Sequence, residues 1–199
     1  METSLSNGDN GNTHSLFGGA FTCFLPNNAL DASEIRDIPD NQEVFCHKNT
    51  DQSIMVDILE YQDHVNGSDA VKYHFLDLVE SNDAGNDHEI IMIESIPKSS
   101  ICMTESSDAW FLTGRQNISK FKEESQAKNC VDMYTMLYRL PQYHTDILII
   151  LNNPVSISKD SSSSLHANSL LSSDAWTLDM FKQIACSLTL HNCDIFGEG

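Results

Sequence analysis

One segment restricts the fold of this chain more than any other. Residues 145–151, TDILIIL, end in five consecutive aliphatic side chains. Successive side chains of a β-strand point to opposite faces of a sheet, so such a strand is apolar on both faces and has to be covered on both. The preceding residues 131–140 alternate in polarity, and residues 140–143 (LPQY) are typical of a turn. We therefore expect a pair of central strands with helices above and below them.

Two segments carry the apolar spacing of helices that could supply this cover. The first runs from Ser68, predicted as its N-cap, to about residue 80, and the second begins after Thr177, with Asp179 in its first turn. Their predicted buried stripes are Val71, Phe75, Leu78 and Val79 in the first helix, and Leu178, Phe181, Ile184, Ala185 and Leu188 in the second.

Further short apolar or alternating segments predict strands at residues 20–25, 43–47, 53–60, 89–96 and 109–118. The predicted fold is an α/β chain of the α+β type, with a largely antiparallel sheet of about six strands and helices on both faces. The 199 residues suit one domain. We expect a disordered polar tail at residues 1–15, a single domain at 16–199, and a flexible Ser-rich loop at 154–173.

Negative charge is concentrated between Asp31 and Asp63. This segment of 33 residues holds nine acidic side chains against two basic ones, about twice the net charge density of the whole chain. Ser33 is predicted to cap a short helical turn, Pro39 ends that turn, and the sequence PDN favours a bend leading into a strand at Glu43. The carboxylates would then form a rigid acidic surface suited to a basic protein partner. The alternative is that these residues merely build the turn.

The bulk charge excludes several classes of partner. With 29 acidic and 11 basic residues the formal net charge is -18, which opposes binding to nucleic acid or to an anionic membrane surface. No apolar run approaches the roughly 20 residues of a spanning helix, and the N-terminus lacks the features of a signal or transit peptide. We expect no membrane insertion, a location in the nucleus and cytoplasm, and a monomer.

The sequence also lacks the common catalytic motifs. It contains no G-x-x-x-x-G-K-[ST] or G-x-G-x-x-G phosphate loop, no G-x-S-x-G and no H-E-x-x-H. Its six cysteines form no C-x-x-C pair and no zinc spacing, so free thiols are expected. We therefore predict no catalytic residue, no metal, no cofactor and no enzymatic activity.

Three segments together resemble one known family. Residues 16–47 (LFGGAFTCFLPNNALDASEIRDIPDNQEVFCH), 139–146 (RLPQYHTD) and 187–196 (SLTLHNCDIF) are similar to the Ran guanine nucleotide release factor family. The chain departs from the family pattern at His144, where glutamine is expected, in its long polar head and in its Ser-rich loop. The resemblance implies a PsbP-like fold, binding to the GTPase Ran in its GTP-bound or nucleotide-free form, and promotion of GTP release in nucleocytoplasmic transport.

Carried over residue by residue, the resemblance places the Ran-binding surface on the acidic turn and one distant cation. Asp40 and Glu43 are the first choices. Arg139 would border the same groove, and its structural alternative is an ion pair with Asp146 or a bond to a loop carbonyl. The full set is Asp31, Glu34, Arg36, Asp37, Asp40, Asn41, Gln42, Glu43 and Arg139.

The resemblance leaves other partners and one other function open. A Ran exchange factor or another Ran-binding protein would be a further partner. The alternative function is a trafficking adaptor for a voltage-gated sodium channel, with a peripheral pool at the plasma membrane. A PsbP-type lumenal subunit is a third reading, against which the missing transit peptide argues.

Overall fold

The computed structural model describes residues 11–82, 84–119, 128–156 and 173–197. Within these ranges the chain forms ten strands and two α-helices. The strands are β1 (Gly11–Leu16), β2 (Phe21–Pro26), β3 (Ala29–Asp31), β4 (Gln42–His47), β5 (Ser53–Glu60), β6 (His88–Ser95), β7 (Asp108–Ser119), β8 (Lys128–Leu140), β9 (Thr145–Ser156) and β10 (Thr189–Leu190). The helices are α1 (Ser68–Ser81) and α2 (Leu178–Cys186).

The strands form two antiparallel sheets. The larger has seven strands in the order β3-β4-β5-β9-β8-β7-β6, and the smaller has three in the order β1-β2-β10. The predicted antiparallel sheet between helices is confirmed. The prediction of about six strands missed β1, β3 and β10, and with them the division into two sheets; β3 and β10 are only three and two residues long.

Strand β9 lies at the centre of the large sheet and is covered on both faces, as its sequence requires. Ile147, Ile149 and Leu151 face a core that contains α2 and the small sheet. Leu148 and Ile150 face a second core that contains α1. Each of these five side chains is at most 1% exposed. The fold is therefore three layers deep, with the large sheet in the middle.

Each helix packs its predicted stripe on the sheet, with one difference at the caps. Val71, Phe75 and Val79 of α1 are buried. Gly67, with φ 57°, precedes α1 and provides no side-chain cap, so the prediction that Ser68 caps this helix is wrong. The predicted cap of α2 is confirmed, because the Thr177 hydroxyl accepts from the backbone N–H of Met180 at 3.2 Å.

Two predicted segment boundaries differ from the structure. Residues 11–15 of the predicted tail belong to β1, which pairs with β2 along its whole length, and residues 1–10 lie outside the described ranges. Strand β9 continues to Ser156, so it includes the first three residues of the predicted Ser-rich loop, of which residues 157–172 are likewise not described. None of the helices in the described ranges has the length and apolar composition needed to cross a membrane.

Candidate functional site

The acidic segment between β3 and β4 has the predicted turn, although a different residue caps it. A 3-10 helix spans Ala32–Glu34, and the Asp31 carboxylate accepts from the backbone N–H of Ser33 at 2.8 Å. The prediction that Ser33 is the cap is therefore wrong. Further along, the N–H of Gln42 donates to the Pro39 carbonyl at 2.9 Å, closing the predicted bend. Strand β4 begins at Gln42.

Three carboxylates of this segment line one open cleft of about 470 Å³. Asp40 is exposed, and Asp31 and Glu43 are half-buried. The cleft also has apolar walls and a glycine at its rim; its lining residues are Phe17, Gly18, Asp31, Ser33, Ile38, Pro39, Asp40, Gln42, Glu43, Val44 and Ile195. Negative charge next to an apolar wall can receive both the charged end and the aliphatic stem of a basic side chain.

The Glu43 carboxylate also has a structural contact. Its Oε1 atom accepts from the backbone N–H of Phe17 at 2.6 Å. Phe17 belongs to the 3-10 turn Phe17–Gly19, which joins β1 to β2 in the small sheet. Glu43 therefore joins the small sheet to the beginning of β4, at the cleft.

The two amide side chains of the predicted site have contacts of their own. The Asn41 side chain donates to the carbonyl of Ile58 at 3.1 Å, and the Ile58 N–H donates to the Asn41 carbonyl at 2.9 Å. Asn41 thus joins the turn to β5. Gln42 pairs in register with Asp57 on β5.

Asp57 is a buried carboxyl group behind the cleft. It is 3% exposed, and its Oδ1 atom has no hydrogen-bond partner in the structure. Burial raises its pKa to about 6, and the neighbouring Gln42 side chain only partly offsets this effect. Gln42 of the predicted site therefore lies opposite a buried carboxyl group whose pKa is raised by burial.

The remaining residues of the predicted site lie outside the cleft. Glu34 and Asp37 are exposed on the loop between β3 and β4 but do not line the cleft. Arg36 lines a different cavity of about 450 Å³, together with Asp51 and Met55. The structure thus brings Asp31, Asp40, Gln42 and Glu43 together and separates Arg36 from them.

Arg139 forms both contacts that were left open as its structural role, an ion pair with Asp146 and hydrogen bonds to loop carbonyls. The residue is 1% exposed, and its side chain donates to Asp146 at 3.0 Å and to the carbonyls of Val65 and Gln62 at 2.6 Å each. Its guanidinium also lies 4.1 Å from the centre of the Tyr61 ring. Arg139 is buried and is not among the lining residues of the cleft, so the expectation that it borders the same groove is wrong.

The apolar wall of the cleft could not be predicted from the sequence. Phe17 and Ile195 come from opposite ends of the chain, and no local pattern connects either of them to residue 43. The pair Gly18–Gly19 was the available signal, because glycines in sequence favour a left-handed turn. Among the residues that the structure describes, no three His, Cys, Asp or Glu side chains are arranged to hold a metal ion.

Comparisons with known proteins agree on one family. The family model described as Ran-interacting Mog1 protein matches residues 14–154. The Ran guanine nucleotide release factor of Danio rerio is 47% identical over 184 residues, covering 92% of this chain and 98% of the relative. That of Homo sapiens is 43% identical over 186 residues, covering 92% and 95%. The nuclear import protein Mog1 of Saccharomyces cerevisiae is 28% identical over 155 residues, covering 71% and 65%.

Solved structures support the same fold. A mutant form of the protein Mog1 superposes with a TM-score of 0.69 at 20% identity, covering 94% of this chain and all of that one. Cyanobacterial PsbP from Synechocystis superposes with a TM-score of 0.50 at 14% identity, covering 96% and 98%. The predicted PsbP-like fold is confirmed. Taken with the match to the family model, the identities to the vertebrate relatives show that this chain belongs to the Ran-interacting Mog1 family.

Proposed function

We propose that this chain binds the small GTPase Ran through the acidic cleft and promotes release of its bound GTP. The names of its relatives, Ran guanine nucleotide release factors, support the partner and the activity. The observation that carries the choice of surface is that Asp31, Asp40 and Glu43 line one solvent-open cleft. The carboxylates of Asp31 and Glu43 each accept a hydrogen bond from a backbone N–H. These bonds order the cleft in the free protein.

The charge of the chain favours a basic surface on the partner. A formal net charge of -18 attracts such a surface over a distance and repels anionic competitors. The cleft concentrates this charge at a site with apolar walls, where a basic side chain can bury its aliphatic stem. We infer that basic side chains of Ran bind in this cleft.

Release of nucleotide follows from a difference in affinity. If the chain binds nucleotide-free Ran more tightly than GTP-bound Ran, it lowers the affinity of Ran for GTP by the same ratio, because linkage is reciprocal. A tenfold loss of GTP affinity requires about 1.4 kcal/mol of such preference. The carboxylates of the cleft can supply it by pairing with basic groups of Ran that otherwise neutralise the phosphates of GTP.

This mechanism makes and breaks no covalent bond, so we propose a non-enzymatic release factor. The sequence has no phosphate-binding loop of its own, and the cleft is lined by carboxylates, an amide, a hydroxyl and apolar groups. We infer a role in transport between nucleus and cytoplasm, which the name of the yeast relative, nuclear import protein, supports. An exchange factor that reloads emptied Ran is a natural further partner.

The alternative function, as a trafficking adaptor for a sodium channel, has no comparable support. The relatives described above are named for Ran or for nuclear import, and none of these names refers to a channel. We therefore do not propose this function, or the plasma-membrane pool that it implies.

The direct experiment is the release of labelled GTP from purified Ran. The chain should accelerate release, and the double variant Asp40→Ala with Glu43→Ala should abolish the acceleration while it remains folded. Glu89→Ala is the matched control, because Glu89 is an exposed acid on β6, at the opposite edge of the large sheet from β3. If the folded double variant releases GTP like the original chain, the acidic cleft has no part in the mechanism.

A further inference from the structure

We propose that the turn Phe17–Gly19 is a second contact element of the cleft, with Phe17 touching the partner and Glu43 acting as the residue that positions this turn. This proposal rests on the proposed function and names the groups of the cleft that contact Ran or position that contact. Glu43 then holds the turn in place in addition to supplying negative charge. Phe17 adds an aromatic side chain to the acidic surface.

The conformation of the turn is the first observation. Phe17 has φ 50°, and Gly18 and Gly19 follow with φ 64° and 94°, so three consecutive residues lie in the left-handed region. The two glycines adopt it freely, but a bulky aromatic residue seldom does. Such a residue persists only where its surroundings hold it, and residues of this kind cluster at binding and switch sites.

Glu43 stabilises Phe17 in this left-handed conformation. The bond from the Phe17 N–H to Glu43 Oε1, at 2.6 Å, is short and charge-assisted, and it joins residues 26 positions apart. Within the turn, the N–H of Ala20 donates to the Phe17 carbonyl at 3.2 Å. The turn therefore depends on the same carboxylate that the family resemblance assigns to contact with the partner.

Phe17 lies where a partner could reach it. Phe17 is half-buried and lines the cleft with Gly18 and Ile195. Its ring makes an edge contact with Phe21 at 5.8 Å between centroids, and Phe21 makes a similar contact with Phe196 at 6.0 Å. The ring is thus supported from behind by the core of the small sheet.

An aromatic ring next to carboxylates suits a basic side chain. The charged end of an arginine or lysine pairs with Asp31, Asp40 or Glu43, and the stem or the cation itself packs on the ring. A flat acidic patch would attract many cations, whereas a patch with an apolar rim selects a side chain that can satisfy both. Phe17 would therefore contribute specificity to Ran binding.

The experiment separates the charge of Glu43 from its role as an acceptor. Glu43→Gln keeps an oxygen that can accept from the Phe17 N–H, and Glu43→Ala removes both charge and acceptor. We expect amide exchange in residues 17–19 to be at least tenfold faster in Glu43→Ala and within threefold of the original rate in Glu43→Gln. Loss of Ran affinity should follow the same order, with Glu43→Ala losing at least threefold more than Glu43→Gln.

The ring is tested by Phe17→Ala, with Phe24→Ala as control. Phe24 is a partly buried ring of the same small sheet that does not line the cleft. We expect Phe17→Ala to lower Ran affinity at least tenfold and Phe24→Ala to leave the affinity of the folded protein within twofold. The proposal is overturned if the two glutamate variants lose affinity equally with unchanged exchange of the turn, or if both phenylalanine variants bind like the original. Failure of the original chain itself to release GTP would instead refute the proposed function.

Discussion

Replacement of Arg139 by methionine should destabilise the fold severely and leave the Ran site of the folded protein intact. Arg139 and Asp146 are 1% and 0% exposed, and Asp146 accepts from Arg139, from the Gln62 N–H at 3.2 Å and from His74 at 3.0 Å. Methionine fills much of the same volume but supplies no donor, so the Asp146 carboxylate would stay buried without its cation.

The expected loss is about 3–5 kcal/mol, the usual cost of removing one partner of a buried ion pair. For a domain of this size each kcal/mol lowers the melting temperature by about 2–4 °C, so a decrease of about 6–20 °C is expected. Adding Asp146→Leu should recover part of the loss, because the uncompensated charge is then gone. Recovery should be incomplete, since Gln62 and His74 also lose their acceptor.

Equilibrium unfolding in urea, followed by the fluorescence of Trp110 and Trp176, measures these differences. GTP release from Ran by the folded variant, measured well below its melting temperature, should match that of the original chain. A stability loss below about 1 kcal/mol would show that the buried network contributes little. Loss of release at unchanged stability would return Arg139 to the binding surface.

Three further predictions concern the effect of salt on Ran affinity, the effect of pH on stability, and the packing of Gly114. Affinity for Ran should fall steadily between 0.05 and 0.5 M salt, because exposed charges are screened over about 10 Å at 0.1 M; constant affinity in titration calorimetry would argue against electrostatic docking. Asp57, with a folded pKa of about 6 against an ordinary 3.8, keeps a proton that the unfolded chain loses. Its contribution to stability should therefore decrease by about 3 kcal/mol in total as the pH rises from about 3 to about 7, and unfolding of Asp57→Asn across this range should lack that component. Gly114→Ala should cost about 1–3 kcal/mol in urea unfolding, because the new methyl group would overlap the Phe75 ring; a neutral change would mean that this contact relaxes easily.

The central layers of the fold could be predicted because their signals are local. The aliphatic run in β9 requires cover on both faces, and the spacing of Val71, Phe75 and Val79 supplies part of it. The bend at Pro39 was predictable for the same reason. Strand β1 was missed because its polar composition resembles a disordered tail. Its pairing with β2 and the burial of Leu16 at its end hold it in place, and both are long-range effects.

The site was only partly predictable because its decisive contacts join distant parts of the chain. The sequence places Asp31, Asp40 and Glu43 close together, but it does not reveal that Phe17 bonds to Glu43. For Arg139, residue type alone left two roles open. The register of β8 with β9, which places Arg139 opposite Asp146, decided between them.

Amide exchange of this chain, alone and in complex with nucleotide-free Ran, tests the location of the binding surface most directly. The account predicts that Ran slows exchange chiefly in residues 17–19 and 38–43 and leaves β6, at the far edge of the large sheet, unchanged. Slowed exchange in β6 or along α1, with residues 38–43 unaffected, would contradict it.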